Sequence, residues 1–377
     1  MKFKVKENEL WAYLGITLML TKVCLSMSTF LTYSDKIDIL LSLGASICLG
    51  IHIVKQKYTL KLLGFYFSVA LLSLYSVSLT RNYGMLVSII TIMAIRSLDL
   101  NKVIRFMYRF ELAFMISHTI IAILLSFLKI ISIYTYSGSE MRYNFGMNHA
   151  NSFSAMIFNL FLMWIWMNYE KMKLQNIGIM FLISTFFFAF TKTRTSYLIM
   201  LVLFTILFIH MVWKKSEQFI GIIAKYSVIS LCAFTLILML DYRDYKPWVL
   251  AFDMILNGRV RLWAYAYAMS GFTWLGRDLS NLYMNTTWDA TWQLNAFTFD
   301  STYPYLAVNQ GAIWLIIILI IFWKLAKLKD NKINVCIIGW ALYAVTETQG
   351  LNCYTCFPLM LVTYLFSGGT KNAKASD

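Results

Sequence analysis

Charge is scarce in this 377-residue chain: 14% of its residues are Asp, Glu, Lys or Arg, against about 25% in a soluble globular domain. Proline is scarcer, with three in all, and no long polar tract breaks the hydrophobic pattern. These shortages argue against a separate soluble domain. No P-loop, G-x-G-x-x-G, H-E-x-x-H or G-x-S-x-G occurs, so nucleotide hydrolysis and serine or zinc proteolysis have no support. Of the six cysteines, Cys24, Cys48, Cys232 and Cys336 lie in apolar runs and read as small core residues. Cys353 and Cys356 form a C-x-x-C with no second pair and no nearby His, which disfavours zinc. Loop packing accounts for it, as does a disulfide if that end faces outside.

What is present is hydrophobicity. Apolar residues make up 59% of the chain, and the mean hydropathy is +0.64. Runs of roughly 20 apolar residues recur throughout, the pattern of an all-α, polytopic integral membrane protein with about twelve spans. The expected spans are 10–32, 37–54, 60–79, 83–98, 111–132, 149–167, 177–191, 196–213, 219–240, 306–323, 334–347 and 353–367. The fourth, seventh, eleventh and twelfth are short for a bilayer. The basic start before the first run resembles a signal peptide in outline, but the run continues to Thr32 without an A-x-A site and reads as a retained span. The chain then divides into an N-terminal bundle (1–240), one large loop (241–305), and C-terminal spans with a tail (306–377).

The formal charge is +15. Nucleic acid is not needed to explain it, because the basic residues collect in short connectors. Lys2, Lys4 and Lys6, then Lys55, Lys57 and Lys61, then Arg96, Lys102, Arg105 and Arg109 occupy alternate connectors. Lys171 and Lys173, Lys214 and Lys215, the Lys324–332 group, and Lys371 and Lys374 continue the alternation. The positive-inside rule then puts both termini in the cytoplasm. The stretch 100–110, LNKVIRFMYRF, reads as a basic amphipathic helix on the anionic lipid surface.

The unusual polar residues fall on the opposite side. Arg142, Asn148, His149 and Asn151 enter the sixth span. Two readings stand: an anion site at a helix N-terminus, or a helix cap by Asn148 or Asn151. Lys192 and Arg194 lie between two apolar spans on a face where cations are disfavoured, so they point to a function, with interfacial snorkelling as the alternative. In the large loop, Asn257-Gly258-Arg259 starts a helix on which Arg259 and Trp263 share a face and Arg261 points elsewhere. Asp300-Ser301-Thr302-Tyr303 precedes the tenth span, and Glu347 ends the eleventh, where a functional carboxylate and a simple ion pair with one of the arginines are both open readings. Guanidinium forks suit phosphate oxygens, and aromatic faces suit sugar rings. No outward cluster offers three metal ligands at a useful spacing.

With these residues in place, the chain resembles the bacterial O-antigen and capsular-polysaccharide polymerases, the Wzy-like group within the polymerase/ligase superfamily. Gly146-Met-Asn-His149-Ala-Asn151 is similar to the group's G-x-x-H-P-N element, with Ala150 in place of proline. Thr193-Arg194-Thr195-Ser196 is similar to its S-R-T element, and Asn257-Gly258-Arg259 with Trp263 to its S-G-R-x-x-x-W helix. Asp300-Ser301-Thr302-Tyr303 and Glu347 match its D-N-x-Y and late glutamate. Motifs cover about residues 140–350; topology carries the rest.

The resemblance implies joining of polyprenyl-diphosphate-linked oligosaccharide repeats at the outer face of the bacterial cytoplasmic membrane. It implies no cofactor, metal, nucleotide sugar or nucleic-acid partner. Membrane lipid, a flippase and a chain-length regulator of the same pathway are the further partners. On this reading Arg194, Arg259 and Arg261, then Arg142, steady the leaving diphosphate. Asp300, Glu347 and His149 are alternative bases. Asn148, Asn151, Lys192, Trp263 and Tyr303 bind substrate. A ligase of the same superfamily is the alternative, although its large-loop histidine has no counterpart: His52, His118, His149 and His210 all lie elsewhere. A transporter or flippase is the rival from another class, but no internal repeat supports it.

Overall fold

The computed structural model describes residues 9–137, 140–213, 216–283, 291–292, 294 and 297–366. The expectations about both chain ends, Lys214 and Lys215 lie outside the described residues.

The described chain is mostly helical. Its first part holds α1 (Leu10–Met27), α2 (Asp35–Val54), α3 (Leu60–Thr80), α4 (Gly84–Ile95) and α5 (Leu100–Phe127). A short hairpin of β1 (Tyr134–Ser137) and β2 (Glu140–Tyr143) follows, antiparallel, with Thr135 opposite Arg142. Then come α6 (Ala150–Asn168), α7 (Leu174–Thr191), α8 (Arg194–Val212) and α9 (Ser216–Asp241). The remainder holds α10 (Pro247–Ile255), α11 (Arg259–Ser270), α12 (Ser280–Tyr283), α13 (Thr302–Tyr305), α14 (Ala312–Ala326) and α15 (Asn331–Thr346).

Among the described residues, eight helices are long and apolar enough to cross a membrane: α1, α2, α3, α5, α6, α7, α8 and α9. Their ends carry local stop and start signals. Ser34 Oγ accepts from the Ile37 amide at the start of α2, and Asp99 from the Asn101 amide at the start of α5. Their outer faces expose Leu40, Phe67, Ile120, Leu182, Leu198 and Ile222, an apolar surface that water would not tolerate and lipid does.

Three expectations change. Residues 100–110 are not a separate surface helix; they are the first turns of the 28-residue α5, because no breaker separates them from the apolar run. The fourth, tenth and eleventh spans become the short helices α4, α14 and α15. The twelfth is not an α-helix: Phe357–Leu365 is a tighter, three-residue-per-turn coil, almost wholly buried.

The chain divides into two compact units that cut across the boundaries at 240 and 305. One comprises Met1–Thr59, Val87–Lys214 and Cys353–Asp377; the other comprises Leu60–Leu86 and Lys215–Asn352. In the first unit α1 and α2 touch at Gly15, where a Cβ would meet Leu49 at 2.7 Å. Among the eight candidate spanning helices of the described residues α6 is the most enclosed, and it supports the C-terminal segment that is not α-helical. Asn159 Oδ1 accepts from the Phe357 amide at 2.9 Å, and its Nδ2 donates to the Tyr354 carbonyl at 3.3 Å and to Glu111 Oε2 at 3.0 Å. Irregular backbone away from water needs such partners. Cys353 and Cys356 are buried free thiols in this segment, so loop packing is their role here.

In the second unit α9 packs against α14 and α15, with α11 beside it. Trp340 of α15 stacks on Phe322 of α14 at 4.1 Å, and Tyr303 meets its edge at 6.0 Å.

Candidate functional site

The second unit brings three of the motif residues together. The path to them starts at the α10–α11 corner. Asn257 and Gly258 both take left-handed backbone, with φ of 55° and 79°, which Asn tolerates and Gly adopts freely. The Gly258 amide reaches back to the Asp253 carbonyl at 2.7 Å, closing α10. Asp253 Oδ1 then accepts the Arg261 amide at 2.9 Å and so opens α11. This tight corner places Arg259 in the first turn of α11, pointing inward and 6% exposed.

The other side is built by the hydroxyls of Ser301, Thr302 and Tyr303. They donate to the carbonyls of Ala344 (3.1 Å), Glu347 (2.6 Å) and Ala341 (3.1 Å) respectively. Three bonds therefore clamp this stretch to the last turns of α15, which sets Asp300 beside Glu347. Arg259 fills the space between them: Nε lies 3.8 Å from Asp300 Oδ2 and Nη2 3.3 Å from Glu347 Oε1. Its Nη1 donates to the Thr346 carbonyl.

The cluster holds one guanidinium and two carboxylates. Burial pushes the Glu347 carboxyl up to about 7; Arg259 opposes that rise and Asp300 adds to it. A carboxyl at that value gains and loses its proton near neutrality, which suits a general base. The Arg259 fork is already occupied by protein oxygens. Trp263 and Tyr303 are fully buried at 0% exposure; Trp263 packs in the apolar core of the second unit and Tyr303 clamps α15, so neither presents its ring to solvent. Arg261 is half-buried, and its Nε has no hydrogen-bond partner.

The remaining candidates lie in the first unit. The end of α7 and the start of α8 meet in a sharp corner at Lys192, with φ of 53°. The hydroxyls of Thr191, Ser154 and Thr193 lock this corner: Thr193 Oγ1 is 2.6 Å from Ser154 and 2.9 Å from Thr191. Arg194 follows as the first residue of α8, exposed and in no ion pair among the described residues. Arg142, from β2, ties the same corner to α6: Nε donates to the Thr191 carbonyl at 3.1 Å and Nη2 to Asn151 Oδ1 at 3.0 Å.

The α6 cap differs from expectation. His149 is the cap, its Nδ1 accepting the Asn151 amide at 3.0 Å. Asn148 instead accepts from the Ser152 hydroxyl at 2.8 Å, and the Asn151 side chain is held by Arg142. The extended backbone at residue 149 aims the imidazole, not either carboxamide, at the free N–H of Asn151.

Asp253 has no role in the sequence reading, and Ser301 and Thr302 enter it only as members of the Asp-Ser-Thr-Tyr motif. The signal for Asp253 was an acidic residue a few positions ahead of Asn-Gly-Arg, in the place of a helix-corner cap.

Scanned against family models, curated proteins and solved structures, the chain matches none.

Proposed function

We propose that this protein is a glycan polymerase. It joins polyprenyl-diphosphate-linked repeats at the outer face of a bacterial cytoplasmic membrane, with both chain termini in the cytoplasm. The observation that carries this reading is the Arg259–Asp300–Glu347 cluster: three residues from three separate motifs meet in one acid–base group, with Arg259 and Glu347 buried and Asp300 half-buried. In the reaction a hydroxyl oxygen of the incoming repeat forms a bond to the anomeric carbon of the growing chain. The bond from that carbon to the diphosphate breaks, and the diphosphate leaves with the electron pair. Glu347 takes the hydroxyl proton. Positive charge for the leaving diphosphate is assigned to Arg194 and Lys192 from the sequence motif alone. Arg259 holds Glu347 and tempers its proton affinity.

The test is reconstitution: purified protein in lipid vesicles with a lipid-linked repeat and excess chelator, read as a ladder on a gel. Ladder formation that needs added magnesium would refute the metal-free scheme. No ladder with any repeat from the native pathway would refute polymerisation.

A flippase for the same lipid-linked repeats is the second reading. It draws on Glu111, buried on the spanning helix α5 and hydrogen-bonded to Asn159, since an ionisable group inside a span is often part of a transport path. Deletion separates the two: loss of a polymerase leaves single repeats at the surface, and loss of a flippase leaves none. A ligase would leave polymer of normal length unattached.

A further inference from the structure

The second unit contains a cavity of about 250 Å³ that the acid–base cluster does not include. The carboxamides of Asn82, Gln310, Gln349 and Asn352 line it, with the rings of Phe299 and Tyr305. No charged side chain lines it among the described residues.

The polar groups are held in advance of any ligand. Asn82 Oδ1 accepts the Gly84 amide at 2.9 Å, which fixes its plane, and its Nδ2 donates to the Tyr305 hydroxyl at 2.8 Å. Gln310 Nε2 donates to the same hydroxyl at 2.9 Å and to Asn309 Oδ1 at 3.1 Å. The Tyr305 oxygen thus accepts twice, and its own hydrogen remains to donate. Burial pushes this phenol up to about 12, so it stays protonated. Phe299 meets the Tyr305 ring edge-on at 5.5 Å and sets its angle.

Backbone strain holds the same wall. Leu306–Gln310 forms a widened helical turn in which the Gly311 amide bonds the Leu306 carbonyl at 2.7 Å. Such wide turns gather at functional sites. Gly311 has φ of 111°, and a Cβ there would sit 2.5 Å from the Trp274 carbonyl oxygen. The chain takes a conformation closed to other residues and thereby presents Gln310.

The ligand chemistry follows. An anion finds no cation here, and an apolar chain would strip water from four carboxamides without replacing their hydrogen bonds. A carboxamide both donates and accepts, as a sugar hydroxyl does. The volume is below the roughly 300–1,000 Å³ of drug-sized pockets, suited to one ring. Phe299 and Thr348 of its wall adjoin Asp300 and Glu347 in the chain. We infer that this cavity seats one uncharged sugar ring of the glycan, beside the carboxylate that takes the proton. The inference rests on the polymerase reading.

Saturation-transfer NMR on the full chain in nanodiscs tests it, with methyl glucoside, methyl galactoside and N-acetylglucosamine as probes and glucuronate as the charged control. Wild type should bind at least one neutral probe and not glucuronate. Tyr305→Phe and Asn352→Ala should each weaken that binding about three- to tenfold, the loss of one hydrogen bond; Tyr305→Phe also takes the acceptor from Asn82 and Gln310 and should lower the melting temperature. If Tyr305→Phe does not fold, Asn352→Ala decides. No transfer from wild type, equal transfer to glucuronate, or variants that bind like wild type would each overturn the inference. Binding lost in the variants while no wild-type ladder forms keeps the cavity and discards the polymerase. A ladder together with unchanged binding in the variants does the reverse.

Discussion

Arg259 and Arg194 are both outward-loop arginines in sequence, yet their surroundings are opposite. Arg259 is enclosed by Asp300, Glu347 and the Thr346 carbonyl. Arg194 stands exposed at the start of α8 with no ion pair among the described residues. An arginine whose fork is filled by carboxylates has little positive charge to offer a diphosphate; it organises the acids instead. An exposed arginine on a locked corner keeps its charge for an incoming anion. On the proposed function the same residue type takes two roles, and neighbouring carboxylates decide which.

The largest expected effect is on the enclosed arginine. Arg259→Ala leaves two carboxylates facing each other, one of them buried, and breaking a buried pair costs about 3–5 kcal/mol. Purified variant should melt well below wild type and reach the membrane in reduced amount. Adding Glu347→Gln should restore part of that loss, because the buried charge goes with it. An Arg259→Ala protein that melts like wild type would mean the pair is not formed.

Next is Glu347 itself. Polymerisation should rise with pH through about 7 as this carboxyl ionises. Glu347→Gln should lower the rate at least about 10²-fold and flatten that limb. Stability runs the other way. The folded carboxyl titrates at about 7 and an unconstrained one at 4.5, so its ionisation opposes folding. That contribution is whole below about 4.5 and is lost as pH rises through 7; Glu347→Gln should remove this slope from a melting-versus-pH series. A rate that keeps its pH limb in the variant assigns the base elsewhere.

Arg194→Ala inverts the first result. An exposed residue without partners costs stability within about 0.5 kcal/mol. Loss of a charge-assisted contact to diphosphate costs about 1.5–3 kcal/mol in the reaction, a ten- to hundredfold slower ladder. Arg194→Lys should also shorten the polymer, since the planar fork is lost while the charge remains. Full-length polymer from Arg194→Ala would remove this residue from the diphosphate site.

Much of this was legible before the structure. Apolar runs marked the eight long helices, and Asn-Gly-Arg, Asp-Ser-Thr-Tyr and Glu347 were among the candidate motifs, though grouped there with Arg194, Arg261 and His149. Sequence allowed Glu347 to pair with one of the arginines; it did not show which arginine, or that Asp300 joins the same one. Nothing in the spacing of residues 259, 300 and 347 says that one arginine meets both acids, because three hydroxyl-to-carbonyl clamps on α15 set that geometry. The twelfth span failed for a related reason. Residues 353–367 are apolar, but Asn159 of α6, itself held by Glu111, bonds the Phe357 amide and the Tyr354 carbonyl and so satisfies backbone that is not α-helical. The His149 cap was missed because backbone angle, not residue preference, decides which side chain reaches the free amide.

The smallest expected effect is at Arg105. It lies exposed in the second turn of α5, with Lys102 and Arg109 one turn away on either side. On the proposed orientation this end of α5 faces the cytoplasm, where anionic lipid asks only for positive charge within a Debye length. A lysine meets that need as well as an arginine, and α5 accepts either residue in a helix. Arg105→Lys should therefore leave both polymer length and membrane abundance unchanged, while Arg194→Lys shortens the polymer in the same assay. Equal loss at the two positions would show that fork geometry matters at both ends of the helices. The contrast between a charge that recognises a ligand and a charge that only orients the chain would then fail.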